Sequence, residues 1–150
     1  MRPKKAEFEP LERAVHQIIQ MIVSRDRELA GRYGLALTDL TCLHYLQTCE
    51  TAGVLVSAKM ISEYVGLSTG ATTALIDRLE HQCYVERRPN PTDRRSVTIH
   101  LIEAKADEVL EENRFLHLAL KETWEEASAE EAEAVTRFLS ETLAKAKRQQ

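Results

Sequence analysis

Between Ser57 and Leu101 the chain switches from helical to extended patterning so tightly that few folds accommodate it. Ala58 to Val65 has helical spacing, with Ile61 and Val65 four apart and Met60 and Tyr64 beside them. Gly66 ends that run, because glycine takes the left-handed C-terminal conformation at no steric cost. Ser68 then offers a hydroxyl to the first free N–H groups of a second helix, Thr69 to Gln82. Thr72, Leu75 and Leu79 fall on one face of it; Thr69, Gly70 and Thr73, small and polar, fall on another, with Arg78 on the flank. Two short strands follow around a loop holding Arg94 and Arg95. The second strand alternates Val97, Ile99 and Leu101 inward with Ser96, Thr98 and His100 outward. Helix, turn, helix and a basic hairpin imply a winged module that binds double-stranded DNA.

A net charge of −4 sits badly with a polyanionic partner until it is divided along the chain. Residues 1–56 are neutral, 57–102 carry +1 and 103–150 carry −5. The excess acid is therefore in the C-terminal helices, while Arg87, Arg88, Arg94 and Arg95 cluster at the hairpin. Localised contacts with little non-specific affinity are the expected result. Three cysteines without CxxC spacing argue against a disulfide framework and fit a reducing compartment. No apolar run approaches membrane-spanning length and no signal peptide follows Met1, so a cytoplasmic protein without a membrane partner is expected.

The flanking segments read as helices. The first nine residues are polar and expected to fray; Pro10 suits a first helical turn, and Leu11, Val15, Ile18, Ile22 and Leu29 make a stripe that Ile19 and Val23 widen. Gly31 and Gly34 bracket its stop. Thr38 is the expected cap of the next helix, which runs to about Thr51, and Val54-Leu55-Val56 is placed to pair with the hairpin as a third strand. After Leu101 one long helix is expected through Ala106, Leu110, Leu116 and Trp124. A capping box at Ser128 and Glu131 opens the last helix. The fold class is mainly α with a small β-wing. One domain is expected, with residues 37–102 binding DNA and residues 1–36 and 103–150 forming a helical homodimerisation region. Such a dimer sets two reading helices roughly 34–36 Å apart, one DNA turn.

These residues resemble a known family. Leu37-Thr38, Leu67-Ser68-Thr69-Gly70-Ala71-Thr72-Thr73, Ile76-Asp77-Arg78-Leu79-Glu80, Tyr84-Val85-Glu86-Arg87-Arg88 and Pro91-Thr92-Asp93-Arg94-Arg95 together are similar to the MarR family of bacterial transcriptional regulators. The resemblance runs from about Leu11 to Phe138, and Asp-Arg-Leu-Glu followed by Asp-Arg-Arg is its specific part. It implies a dimeric repressor released by a small aromatic or anionic effector, or in some members by cysteine oxidation. It implies that Ser68, Thr69, Gly70, Thr73 and Arg78 face the major groove. Arg95 would enter the minor groove, Asp93 would hold it by an ion pair and Arg94 would meet phosphate. Two departures stand out: Ala74 replaces an arginine common in the family, and Leu101-Ile102-Glu103-Ala104-Lys105 lacks the usual Thr and Gly.

Other signals have plainer readings. Asp77 would repel phosphate and is expected to pair with a neighbouring arginine. Cys42, Cys49 and Cys83 read as small buried hydrophobes, with a thiol switch as the alternative. The five histidines show no metal-ligand spacing; His16 and His44 are the candidates for an effector crevice. Trp124 reads as dimer core. No cofactor motif and no catalytic constellation is present, so no enzyme is expected; a winged module that binds protein is the rival reading.

Overall fold

Local punctuation accounts for most of the helix ends. The computed structural model describes residues 5–149 and opens with helix α1, Lys5–Tyr33. The frayed start expected for residues 1–9 lies outside the described residues up to Lys4; residues 5–9 are helical. Pro10 therefore sits inside α1 rather than in its first turn, at an exposed position where a missing N–H is tolerated. Gly31 is likewise internal, and Gly34, at φ 64°, makes the turn that sends the Leu35 N–H back to the Ala30 carbonyl at 2.9 Å.

Helix α2, Leu37–Thr51, departs from expectation at its cap. Ala36, not Thr38, is the N-cap, and Asp39 reaches back three residues to accept the Ala36 N–H at 2.9 Å. An acid at that position supplies the acceptor that alanine lacks. Val54 and Leu55 are exposed, and Val56 alone pairs with the hairpin, accepting the Ile99 N–H at 2.8 Å. The expected third strand is thus a single bridge. Helix α3, Ala58–Val65, is capped by Ser57 and closed by Gly66 at φ 75°. Helix α4, Thr69–His81, is capped by Ser68, whose hydroxyl accepts the Ala71 N–H.

Strands β1, Val85–Pro89, and β2, Val97–Leu101, form an antiparallel pair with Val85 opposite Leu101 and Pro89 opposite Val97. The inward–outward alternation fails at its outer end. Val97 is 46% exposed and Thr98 2% exposed, because Val97 lies opposite Pro89 where the hairpin projects past the core. Thr98 tolerates burial because its hydroxyl donates to the Arg88 carbonyl and meets His100 Nε2.

The long helix expected after the wing is broken. Helix α5, Glu103–Leu110, starts at Ile102 with no side-chain cap, a 3₁₀ turn occupies Glu111–Asn113, and helix α6 runs Phe115–Glu126. Long-range bonds hold the break: Asn113 donates to Asp26 and lies 3.0 Å from His44 Nε2, while Glu112 is gripped by Arg25, Arg32 and the Tyr33 hydroxyl. Those tertiary contacts outweigh helix propensity. Helix α7, Ala129–Lys147, carries the expected capping box between Ser128 and Glu131.

The described chain divides into two compact units, one ending at Asn113 and one beginning at Arg114. The first holds the core, including Leu29, Leu40, Leu43, Ile61, Leu75, Leu79, Val85 and Leu110. Helices α6 and α7 bury none of their residues; Leu120, Trp124, Phe138 and Leu143 are all about half exposed. From Phe8 to Met21 α1 is as bare, with Leu11, Val15, Ile18 and Ile19 open.

Candidate nucleic-acid interface

The start of α4 presents short polar side chains on a fixed scaffold. Thr72, Leu75, Ile76 and Leu79 are buried against the core, which turns Thr69, Gly70 and Thr73 outward. The Thr73 hydroxyl donates to the Thr69 carbonyl at 3.0 Å, and its lone pairs remain open to a partner. Nothing lies within 4 Å of where a Cβ on Gly70 would stand, so only an approaching partner would notice that side chain. Backbone N–H groups at this N-terminus favour an anion.

The longer side chains are arranged differently from the sequence expectation. Arg78 turns away to Asp39, giving it Nη2 at 2.5 Å and Nε at 3.2 Å. Asp39 is 1% exposed, and its hydrogen bond raises the Arg78 pKa above its ordinary value. Asp77 has the arginine partner expected of it: Arg87 bridges Asp77 and Glu80, tying β1 to α4. Arg88 pairs with Glu86. Two of the four clustered arginines are therefore neutralised.

The other two crown the wing. Asn90 accepts both the N–H and the hydroxyl of Thr92, and Asn90 N–H donates to the Ser96 carbonyl, closing the loop. Asp93 Oδ1 accepts the backbone N–H of Arg95 at 3.0 Å. The expected Asp93–Arg95 ion pair is not formed; the carboxylate closes a local turn two residues on, as aspartate readily does in an exposed loop. The guanidiniums of Arg94 and Arg95 have no carboxylate partner among the described residues, and both are exposed.

Comparison with known proteins now decides the lineage. A model of the MarR family matches residues 39–97, from the buried Asp39 to the first residue of β2. An uncharacterized HTH-type transcriptional regulator of Bacillus subtilis, YcgE, is 32% identical over 133 residues, covering 86% of this chain and 84% of its own. The chain belongs to the MarR family. The transcriptional regulator Tm0710 of Thermotoga maritima shares the fold at TM-score 0.60 and 22% identity, covering 94% of this chain and 96% of that one. So does a mutant of MepR from S. aureus bound to an oligodeoxyribonucleotide, at TM-score 0.57 and 16% identity, covering 90% and 96%. As a MarR-family member this is a DNA-binding transcriptional regulator.

The remaining candidates in this MarR-family chain are scattered. His16 opens on a shallow depression of α1 beside Arg13, Gln17, Gln20 and Met21. His44 is half-buried against Asn113, and burial lowers its pKa while Asp26 partly opposes that. His16 precedes Asp26 by ten residues, roughly 15 Å of helix, so one protomer does not bring the two histidines together. Cys42 and Cys49 are buried as expected, with the Cys42 thiol pushed up to about 12 by burial and then by Asp39. Cys83 is the exception: it is exposed and holds the left-handed turn between α4 and β1 at φ 62°. No cluster of three or more metal-ligating side chains occurs among the described residues, and none of their helices is long and apolar enough to cross a membrane. Asp39 and Glu112 are the functional-looking residues missed by sequence reasoning. An acid three residues past a helix cap hinted at the first; nothing local hinted at the second.

Proposed function

We propose that the chain is a homodimeric repressor of a pseudo-palindromic operator, released by a small aromatic or anionic ligand. The observation that carries the reading is the pair of uncommitted wing arginines in one module with an exposed, hydroxyl-bearing helix start. In this reading Ser68, Thr69, Gly70 and Thr73 meet base edges and backbone in the major groove, where hydroxyls accept or donate to several bases. Arg95 enters the adjoining minor groove, whose narrow walls concentrate negative potential, and Arg94 meets phosphate. Asp93 supports Arg95 through its backbone. Residues 37–102 form the DNA-binding region, while a second copy covers the bare apolar faces within 1–36 and 103–150. Ligand release is the part that rests on the family resemblance alone.

The test uses duplex DNA from the region flanking the protein's own coding sequence. Arg95→Ala is expected to weaken binding at least tenfold and leave the sedimenting dimer unchanged, and log K should fall steeply with log salt. Unchanged affinity in Arg95→Ala would remove the wing from the interface; a salt-independent affinity would remove the phosphates.

A further inference from the structure

Arg78 and Asp39 belong to different helices, and the way they meet is asymmetric. The Asp39 side chain is 1% exposed and the Arg78 side chain 44% exposed. Three donors satisfy the carboxylate: Arg78 Nη2 at 2.5 Å, Arg78 Nε at 3.2 Å and the Ala36 N–H at 2.9 Å. One carboxylate thus joins the α1–α2 corner, the first turn of α2 and the second half of the reading helix. Arginine carries five N–H donors in a planar fork. Asp39 occupies the Nε side of that fork, which leaves the outer edge, Nη1 and the second Nη2 N–H, unused by Asp39 on a side chain that is 44% exposed.

Position on the helix says what that edge can reach. Arg78 is nine residues beyond Thr69 and five beyond Thr73. At ~100° and ~1.5 Å per residue it lies about 180° around and about 13 Å along from Thr69, and about 140° around from Thr73. It cannot share base edges with that hydroxyl face. Its anchor is instead at the start of α2, where Ala36 and Leu37 are exposed.

We infer that Asp39 is a positioning residue for DNA binding, holding Arg78 side-on so that the outer guanidinium edge meets a phosphate beside the first turn of α2. The inference rests on the DNA-binding reading of this module and extends it to a residue outside the helix–wing pattern. A held guanidinium loses little freedom on contact, and planar two-point donation suits a phosphate. The contact carries no base information. It also makes the α1–α2 corner part of the DNA grip, since the same carboxylate fixes both.

The experiment compares wild type, Asp39→Asn and the double variant Asp39→Asn/Arg78→Met, the last chosen because removing arginine alone would strand a buried carboxylate. The probe is a duplex selected by the wild-type protein from a random-sequence pool, with single-base variants of it. Asp39→Asn is expected to weaken binding roughly tenfold, since it loosens a charge-assisted contact. The double variant should be no more than about twofold weaker than Asp39→Asn, because Arg78 works only when held. The loss should be the same on every single-base variant, and the salt slope should become shallower by about one per reading helix. Wild-type affinity in Asp39→Asn would overturn the inference, as would a large additional loss in the double variant. A changed base preference would overturn the phosphate assignment. A fall in melting temperature with no change in affinity would make the pair merely structural. The DNA-binding reading fails separately, through absence of salt-dependent binding by wild type and Arg95→Ala alike.

Discussion

Replacing Arg87 with alanine should damage DNA binding out of proportion to its effect on the fold. Arg87 is 32% exposed in its side chain, and its partners Asp77 and Glu80 are 59% and 40% exposed. Ion pairs this accessible are worth ~0.2–1 kcal/mol each, so the variant should lose about 1 kcal/mol of stability. For a chain of this length that is a melting shift of about 2–4 °C. The electrostatic consequence is larger. With Arg87 present, the group Asp77, Glu80 and Arg87 carries one net negative charge; without it, two. One extra charge costs about 0.4 kcal/mol against each phosphate about 10 Å away in water, before salt screening. Over a few phosphates and the two α4 helices of the proposed dimer this amounts to about 1–2 kcal/mol, or roughly five- to thirtyfold in affinity. Melting by circular dichroism and titration of a fluorescent duplex measure the two effects separately. The affinity deficit should shrink as salt is raised, and Asp77→Asn/Glu80→Gln in the same background should restore binding. A melting shift above about 8 °C, or a deficit that neutralising both acids does not relieve, would show that Arg87 serves the fold rather than the local charge.

Two further expectations concern titratable side chains. Mass-spectrometric tracking of iodoacetamide labelling at pH 8 should find Cys83 modified well before Cys42, since Cys83 is exposed and the buried Cys42 thiol is pushed up to about 12; comparable rates would contradict the placement of Cys42. His44 has its folded pKa below the ordinary 6.5, so the unfolded chain takes up the proton first as the pH falls. That contribution is intact above about pH 6.5 and is lost below it, because burial penalises the charged ring. The melting temperature should therefore drop between pH 7 and pH 5, less steeply in His44→Gln; identical profiles would remove His44 from the balance.

What the sequence revealed was what depends on neighbours a few residues apart. The caps at Ser57, Ser68 and Ser128 and the turn at Gly66 are local, and each is found where its residue type demands it. The four-arginine cluster was visible as composition, yet its charge was not. Arg87 finds Asp77 ten residues away and Arg78 finds Asp39 thirty-nine residues away, pairings that exist only once α2, α4 and β1 are packed. The α5–α6 break is of the same kind, set by Asp26 and His44, which lie 87 and 69 residues from Asn113. Val97 and Thr98 exchanged environments because alternation says which side a residue faces and not where the core stops.

Within the winged module Arg94 and Arg95 are the basic residues without a carboxylate partner among the described residues, which bears on how such a protein would find a site in a genome. Long one-dimensional sliding needs a broad cationic surface that keeps hold of the backbone between steps. Here the winged module carries only +1 and the chain as a whole −4, so a wrongly placed molecule would be held by few backbone contacts, the wing arginines and the held Arg78 among them. Encounters with arbitrary sequence are then brief. For the proposed repressor the expected search is by many short collisions from solution, with low occupancy away from the operator.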